Sequence, residues 1–215
     1  MKAVIFELDG VIIESEQFNY RIIKDVLAKE NYAISEETYK EYFLGKKIKE
    51  SLKDFLGKDH SKASKLAKEC IEYKKERIKT NQNKPREGII DCIKRLYKDF
   101  SLGLITSSSK DMASLILRQL NLSFYFEEIV FGDDIHSQKP DPEGLFLCAQ
   151  KLRRSPHDCI VIDNSRAGIE AANDAGMKVI AVPNEFTKTQ NLSDASVILK
   201  NFDSIDPDLI KRLAI

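Results

Sequence analysis

The strongest constraint on this chain is a set of short, wholly apolar runs that recur along it. Residues 3–6 (Ala-Val-Ile-Phe) come first. Similar runs follow at 102–105, 129–131, 159–162 and 179–182, with a weaker one at 197–199. A strand with one wet face alternates apolar and polar residues, whereas a run without alternation suits a strand covered on both faces. Between the runs lie segments with helical spacing of apolar residues, at 88–97, 111–120, 142–152 and 167–175. Strand and helix in alternation predict an α/β fold, a parallel sheet core flanked by helices.

Residues 14–84 break this rhythm. They hold no strand-like run, while Ile22-Val26-Leu27, Leu52-Phe55-Leu56 and Leu66-Ile71 have the spacing of amphipathic helices. Pro85 marks the boundary. The expected organisation is an α/β core, 1–13 and 85–215, with an all-helical insertion, 14–84, directly after the first strand. The insertion carries 17 Lys/Arg against 13 Asp/Glu, net +4, and the remainder 17 against 21, net −4. A solvated lysine-rich face accounts for that split. The alternative is a lid that guides anions toward a cleft, with Lys46, Lys47 and Lys49 as its candidate residues.

With 215 residues and 42% hydrophobic content, the chain can bury a substantial core. Its 34 basic residues balance 34 acidic ones, so total charge gives no reason to expect nucleic acid or a membrane as partner. The N-terminal apolar run reaches carboxylates within a few residues, too soon for a signal peptide or for a span of roughly 20 residues. A cytoplasmic protein is expected, as a monomer or weak dimer. Cys70, Cys92, Cys148 and Cys159 lie far apart without a CxxC pair, which predicts reduced, buried thiols rather than a zinc site or disulfide framework. His60, His136 and His157 read as exposed and receive no role.

In an open parallel sheet, ligands gather outside the carboxyl ends of the strands. Glu7, Leu8, Asp9 and Gly10 follow the first run; two carboxylates at i and i+2 of an extended chain point the same way. Thr106, Ser107 and Ser108 follow the second, hydroxyl donors ahead of a helix and suited to phosphate oxygens. Lys139-Pro140 stands in the loop after the third, and Asp163, Asn164 and Ser165 follow the fourth. Each signal alone has a bland reading as cap, turn or loop. Four in order at four strand exits are the parts that a Mg²⁺ and phosphate site requires: oxygen ligands for a hard cation, with lysine and hydroxyls for the phosphoryl oxygens.

The segments FELDGVIIESE, LITSSS, QKPDPEGL and VIDNSRAGIEAANDAGMKVIAV resemble the four motifs of the haloacid dehalogenase-like superfamily, in its β-phosphoglucomutase-like and phosphoglycolate-phosphatase-like branch. The resemblance covers nearly the whole chain. It implies a Rossmann-like core with a helical cap inserted after the first strand, and a Mg²⁺-dependent phosphatase acting on a small phosphorylated metabolite. It also implies roles: Glu7 at the nucleophile position, Asp9 as general acid and base, Thr106, Ser107 and Lys139 on the transferring phosphoryl group. Mg²⁺ would lie between Glu7, the Asp9 main-chain carbonyl and Asn164, with Asp163 adding charge.

Two departures stand out. Position 7 holds glutamate where the family has aspartate, which moves the head group out by roughly 1.5 Å, one C–C bond. Asn164 replaces a metal-binding acid with an amide, which predicts weaker Mg²⁺ binding. Ile48 stands where mutases present an arginine to a second phosphate, which argues against a sugar-phosphate isomerase. The rival expectation, from Glu7 and Asn164 together, is a catalytically inactive relative that binds a phosphorylated ligand or partner.

Overall fold

The computed structural model of the chain describes residues 2–44, 46, 48–57, 59–80 and 83–213. Six strands, β1 (Ala3–Glu7), β2 (Ser101–Ile105), β3 (Glu128–Val130), β4 (Cys159–Asp163), β5 (Lys178–Ala181) and β6 (Val197–Ile198), form one sheet. Their spatial order is β3-β2-β1-β4-β5-β6, and every neighbouring pair is parallel. In β1, Ala3 stands opposite Ser101 on one edge and Cys159 on the other, which makes it the central strand. All residues of β1, β2 and β4 are buried, the physical reason their sequences lack alternation.

The helices in chain order are α1 (Glu16–Ala28), α2 (Glu36–Tyr42), α3 (Ile48–Leu56), α4 (His60–Lys79) and α5 (Ile89–Leu96). They continue with α6 (Lys110–Gln119), α7 (Glu143–Lys151), α8 (Arg166–Asp174) and α9 (Pro207–Leu213). The sheet and its helices realise the expected α/β architecture, with strand and helix ends within two residues of the sequence reading. Helix α9 was not anticipated: it is a single short element that buries Ile210, too brief to show a period.

Helix α7 lies against β1, β2 and β3, and α8 against β4 and β5. Ile5, Val161 and Val179 of the strands share one buried layer with Leu145, Cys148 and Ile169 of these helices. Each such Ile, Leu or Val contributes about 1.5–3 kcal/mol by leaving water. The sheet is thereby a rigid base, and its strand order reverses between β1 and β4, the point where open α/β sheets place ligands.

The chain divides into two compact units, 1–14 with 84–215 and 15–83. The first closes its own neck: the Glu14 N–H donates to the Lys84 carbonyl (3.0 Å), and Ile13 bridges Pro85 in antiparallel fashion. The second holds α1 to α4 and, among its described residues, no strand. Its interior is aromatic, with Tyr20 5.5 Å from Tyr39 and Phe43 5.6 Å from Phe55, ring centre to ring centre. Glu30 takes Lys62 (3.0 Å) and Lys65 (3.3 Å) on its surface, pairs of the kind that contribute little individually. Lys46 and Lys49 are exposed, and Lys47 lies outside the described residues. Among the described residues no helix is long and apolar enough to cross a membrane.

Candidate active site

Glu7 ends β1 and is 7% exposed. Beyond it the chain turns sharply: Ile12 and Ile13 donate their N–H groups to the Leu8 carbonyl (2.9 and 3.1 Å), and Gly10 donates to Ile13 (2.9 Å). Gly10 sits at φ +78°, a left-handed conformation that favours glycine. The turn keeps the Glu7 carboxylate beside the backbone that follows it. Its Oε1 accepts from the N–H groups of Leu8 (3.0 Å) and Asp9 (3.3 Å), and its Oε2 accepts from Lys139 Nζ (2.5 Å).

The same ammonium reaches Asp163 Oδ2 (2.5 Å), so Lys139 bridges the exits of β1 and β4. Asp163 is fully buried, and its Oδ1 accepts from the Ser165 N–H and hydroxyl, both at 2.9 Å. Ser165 in turn caps α8 by accepting from Gly168 N–H (3.1 Å). A Cβ at position 168 would stand 2.1 Å from the Asp163 carboxyl, so only glycine lets the first turn of α8 come this near. That turn presents the positive end of the helix to an anion. Lys139 itself comes from the loop between β3 and α7, which Glu143 steadies by accepting the N–H groups of His136 (3.0 Å) and Ser137 (2.7 Å).

On the β2 side, Asp9 Oδ2 accepts from Thr106 Oγ1 (3.3 Å) and Ser108 Oγ (3.0 Å). The Ser108 N–H donates to Thr106 Oγ1 (3.0 Å), which ties the two hydroxyls together. Of the expected hydroxyls, Thr106 is therefore inside the cluster, while Ser107 is exposed. Ser108, noted in sequence only as a third donor, is buried and meets Asp9 directly. Asn164 follows Asp163 and is 3% exposed.

Burial pushes the Glu7 carboxyl up to about 7; Lys139 pulls it down, while Asp163 and Asp9 push it further up. Burial also works against the charge of Lys139, yet Asp163 and Glu7 hold its ammonium well above the ordinary lysine value. Among the described residues, no three His, Cys, Asp or Glu side chains gather as a metal-holding group. A hard cation here would draw on a mixed oxygen set of Glu7, Asp163, the Asn164 amide and main-chain carbonyl. That donor chemistry suits Mg²⁺, which takes few protein ligands and keeps waters.

Strand order and a buried carboxylate–lysine–carboxylate bridge define an α/β protein with an ionised cluster at its central strand exits. The sequence profile of the haloacid dehalogenase-like hydrolases matches residues 4–182, and the chain belongs to that family. It falls in the phosphoglucomutase and phosphoglycolate phosphatase branch. A phosphorylated carbohydrates phosphatase of Thermotoga maritima is 28% identical over 202 residues, 93% of this chain and 91% of that protein. A β-phosphoglucomutase of Bacillus subtilis is 31% identical over 192 residues, 85% and 83% of the two chains. The crystal structure of β-phosphoglucomutase from Clostridium difficile superposes with a TM-score of 0.84 at 26% identity, covering 100% of this chain and 97% of that one.

Proposed function

We propose that the chain is a Mg²⁺-dependent phosphatase that hydrolyses a small phosphorylated metabolite through a carboxylate nucleophile. The observation that carries this reading is the junction of Glu7, Lys139 and Asp163 beside Asp9, Thr106 and Ser108 at three adjacent strand exits. In the first step a Glu7 oxygen attacks phosphorus, and the departing alkoxide takes a proton from Asp9. In the second, Asp9 removes a proton from water, which attacks the same phosphorus and releases phosphate from Glu7. Lys139, Thr106 and Ser107 hold the phosphoryl oxygens while charge builds on them. Mg²⁺, held by Glu7, Asn164, Asp163 and the Asp9 carbonyl, would neutralise negative charge at the reacting group.

The helical unit, 15–83, serves in this reading as a cap that selects a small substrate. Four free cysteines, all buried, suit a reducing compartment such as the cytoplasm. The chain acts as a monomer or weak dimer. Metal-dependent phosphate release from a panel of phosphorylated metabolites, with a chelator control, tests the proposal; release that ignores the chelator would refute the metal's part.

One observation favours a second reading, an inactive binder of phosphorylated ligands. Both Glu7 oxygens are already engaged, one by two main-chain N–H groups and the other by Lys139. A nucleophile held this way attacks poorly. Tight phosphate binding without release from any ester in the panel would establish that alternative.

A further inference from the structure

Two arginines of the α/β unit grip main-chain carbonyls with the same planar fork. Arg95, on α5, gives Nε (3.0 Å) and Nη2 (2.8 Å) to the Ile205 carbonyl and Nη2 to that of Phe202 (3.0 Å). It fastens the chain leading into α9 and bonds no residue of the strand-exit cluster. Arg86, just before α5, gives Nη1 to the carbonyls of Gly10 and Val182, both at 2.8 Å, and Nη2 to that of Pro183 (3.0 Å). Its guanidinium lies 4.9 Å from the centre of the Phe202 ring, which fixes the plane of the fork. Its own N–H donates to the Ile12 carbonyl (2.9 Å).

Arg86 therefore holds the Gly10–Ile13 turn at two points and ties it to the exit of β5. Gly10 directly follows Asp9. An aspartate has a short side chain, so where its carboxylate stands depends on its backbone. Charge-assisted bonds to carbonyls are the stronger kind, and a lysine could not reproduce a planar grip on three of them.

We infer that Arg86 is a positioning residue of the site: it sets the backbone of the Asp9–Gly10 turn, and through it the Asp9 carboxylate and carbonyl. This rests on the phosphatase reading for what Asp9 does, but not for how the turn is held. Arg95 supplies the comparison, because it makes the same type of bonds one step removed from the turn, at Ile205 and at Phe202, whose ring lies against Arg86.

The test compares Arg86→Met with Arg95→Met in the full chain, using p-nitrophenyl phosphate turnover and Mg²⁺ calorimetry. Arg86→Met should lower kcat by about tenfold, the worth of one charge-assisted hydrogen bond, with KM nearly unchanged and Mg²⁺ bound more weakly. Arg95→Met should lower the melting temperature, with a several-fold smaller effect on kcat and on Mg²⁺ affinity. On an Asp9→Asn background at saturating Mg²⁺, Arg86→Met should cost much less further kcat than it does alone, since the carboxylate it positions is gone and only the carbonyl remains. Equal losses from the two arginine variants, or full loss on the Asp9→Asn background, would overturn the inference. Should the chain neither turn over nor bind Mg²⁺, the phosphatase reading falls, and amide exchange decides alone. Exchange at Gly10, Ile12 and Ile13 must then quicken in Arg86→Met and not in Arg95→Met, or the inference falls too.

Discussion

The two sides of the strand-exit cluster are built from different chemistry. Toward β4, three ionisable groups lock together, Glu7 and Asp163 on either side of Lys139. Toward β2, Asp9 faces two hydroxyls, Thr106 and Ser108. An ammonium can only donate, so it favours a carboxylate that stays charged. A hydroxyl can donate or accept by rotating, so it tolerates a carboxyl that gains and loses a proton. On the ionic side Lys139 thus favours charged carboxylates against the burial that raises Glu7, and the hydroxyl side suits a proton shuttle. The two carboxylates, two residues apart on one turn, are fitted to different tasks.

The largest effect should come from removing the hub of the ionic side. Lys139→Met leaves Glu7 and Asp163 buried without their cation, and chemical denaturation should show a loss of about 3–5 kcal/mol. Pairing it with Glu7→Gln should recover part of that loss. Strict additivity would mean that the bridge contributes nothing to the folded state.

Next in size is the reach of the anion. A misplacement of about 1 Å can cost on the order of 100-fold, so Glu7→Asp should raise kcat by about that factor while phosphate affinity changes little. Steady-state kinetics alongside product titration read both; equal rates would show that the backbone has adapted to glutamate.

The metal-free protein should also show the strain on Glu7 in its pH profile. Its carboxyl ordinarily titrates at 4.5 and is raised to about 7 in the fold. Between those values the native state keeps a proton that the unfolded chain has released, so stability falls as pH rises through this window. That contribution should be missing in Glu7→Gln, as read from the difference between the two proteins in urea unfolding with chelator.

A charge added at the β4 exit sharpens the contrast further. Asn164→Asp should tighten Mg²⁺ by calorimetry; unchanged affinity would mean that Asp163 and Glu7 already supply enough charge. The smallest effect belongs to the hydroxyl side. Ser108→Ala removes one of the two hydroxyl hydrogen bonds to the Asp9 carboxylate, about 1.5 kcal/mol, and should lower kcat by about tenfold at most without altering Mg²⁺ affinity. A loss in Mg²⁺ affinity would show that the two sides are not separate.

Much of this was legible in the amino acids alone. Strands buried on both faces announce themselves by runs such as Ala-Val-Ile-Phe, and the rule that ligands gather at strand exits then points to Glu7, Asp9, Thr106, Lys139 and Asp163. What could not be read depends on direction in space. Ser107 and Ser108 are the same residue type one position apart, and only the path of the backbone leaving β2 turns Ser108 toward Asp9. Glu143 and Gly168 lie within two of the four family-like segments, yet what they do, through a loop and a helix start, is visible only in three dimensions. Arg86 reaches Gly10 across 76 residues of sequence, a contact that no local pattern announces.

The pairing of β1 bears on how the protein is made. Of the six strands described it is synthesised first, yet its neighbours in the sheet are residues 101–105 and 159–162. A nascent chain must therefore carry an unpaired, wholly apolar segment until residues 101–105 exist, and one with a single paired edge until residues 159–162 do. During that interval the segment is open to chaperones and to self-association. Chains halted before residue 159 lack one edge of β1 altogether, and Glu7 meets neither Lys139 nor Asp163 until both have been synthesised. The cluster can close only once Asp163 has been made, although Glu7 precedes it by 156 residues.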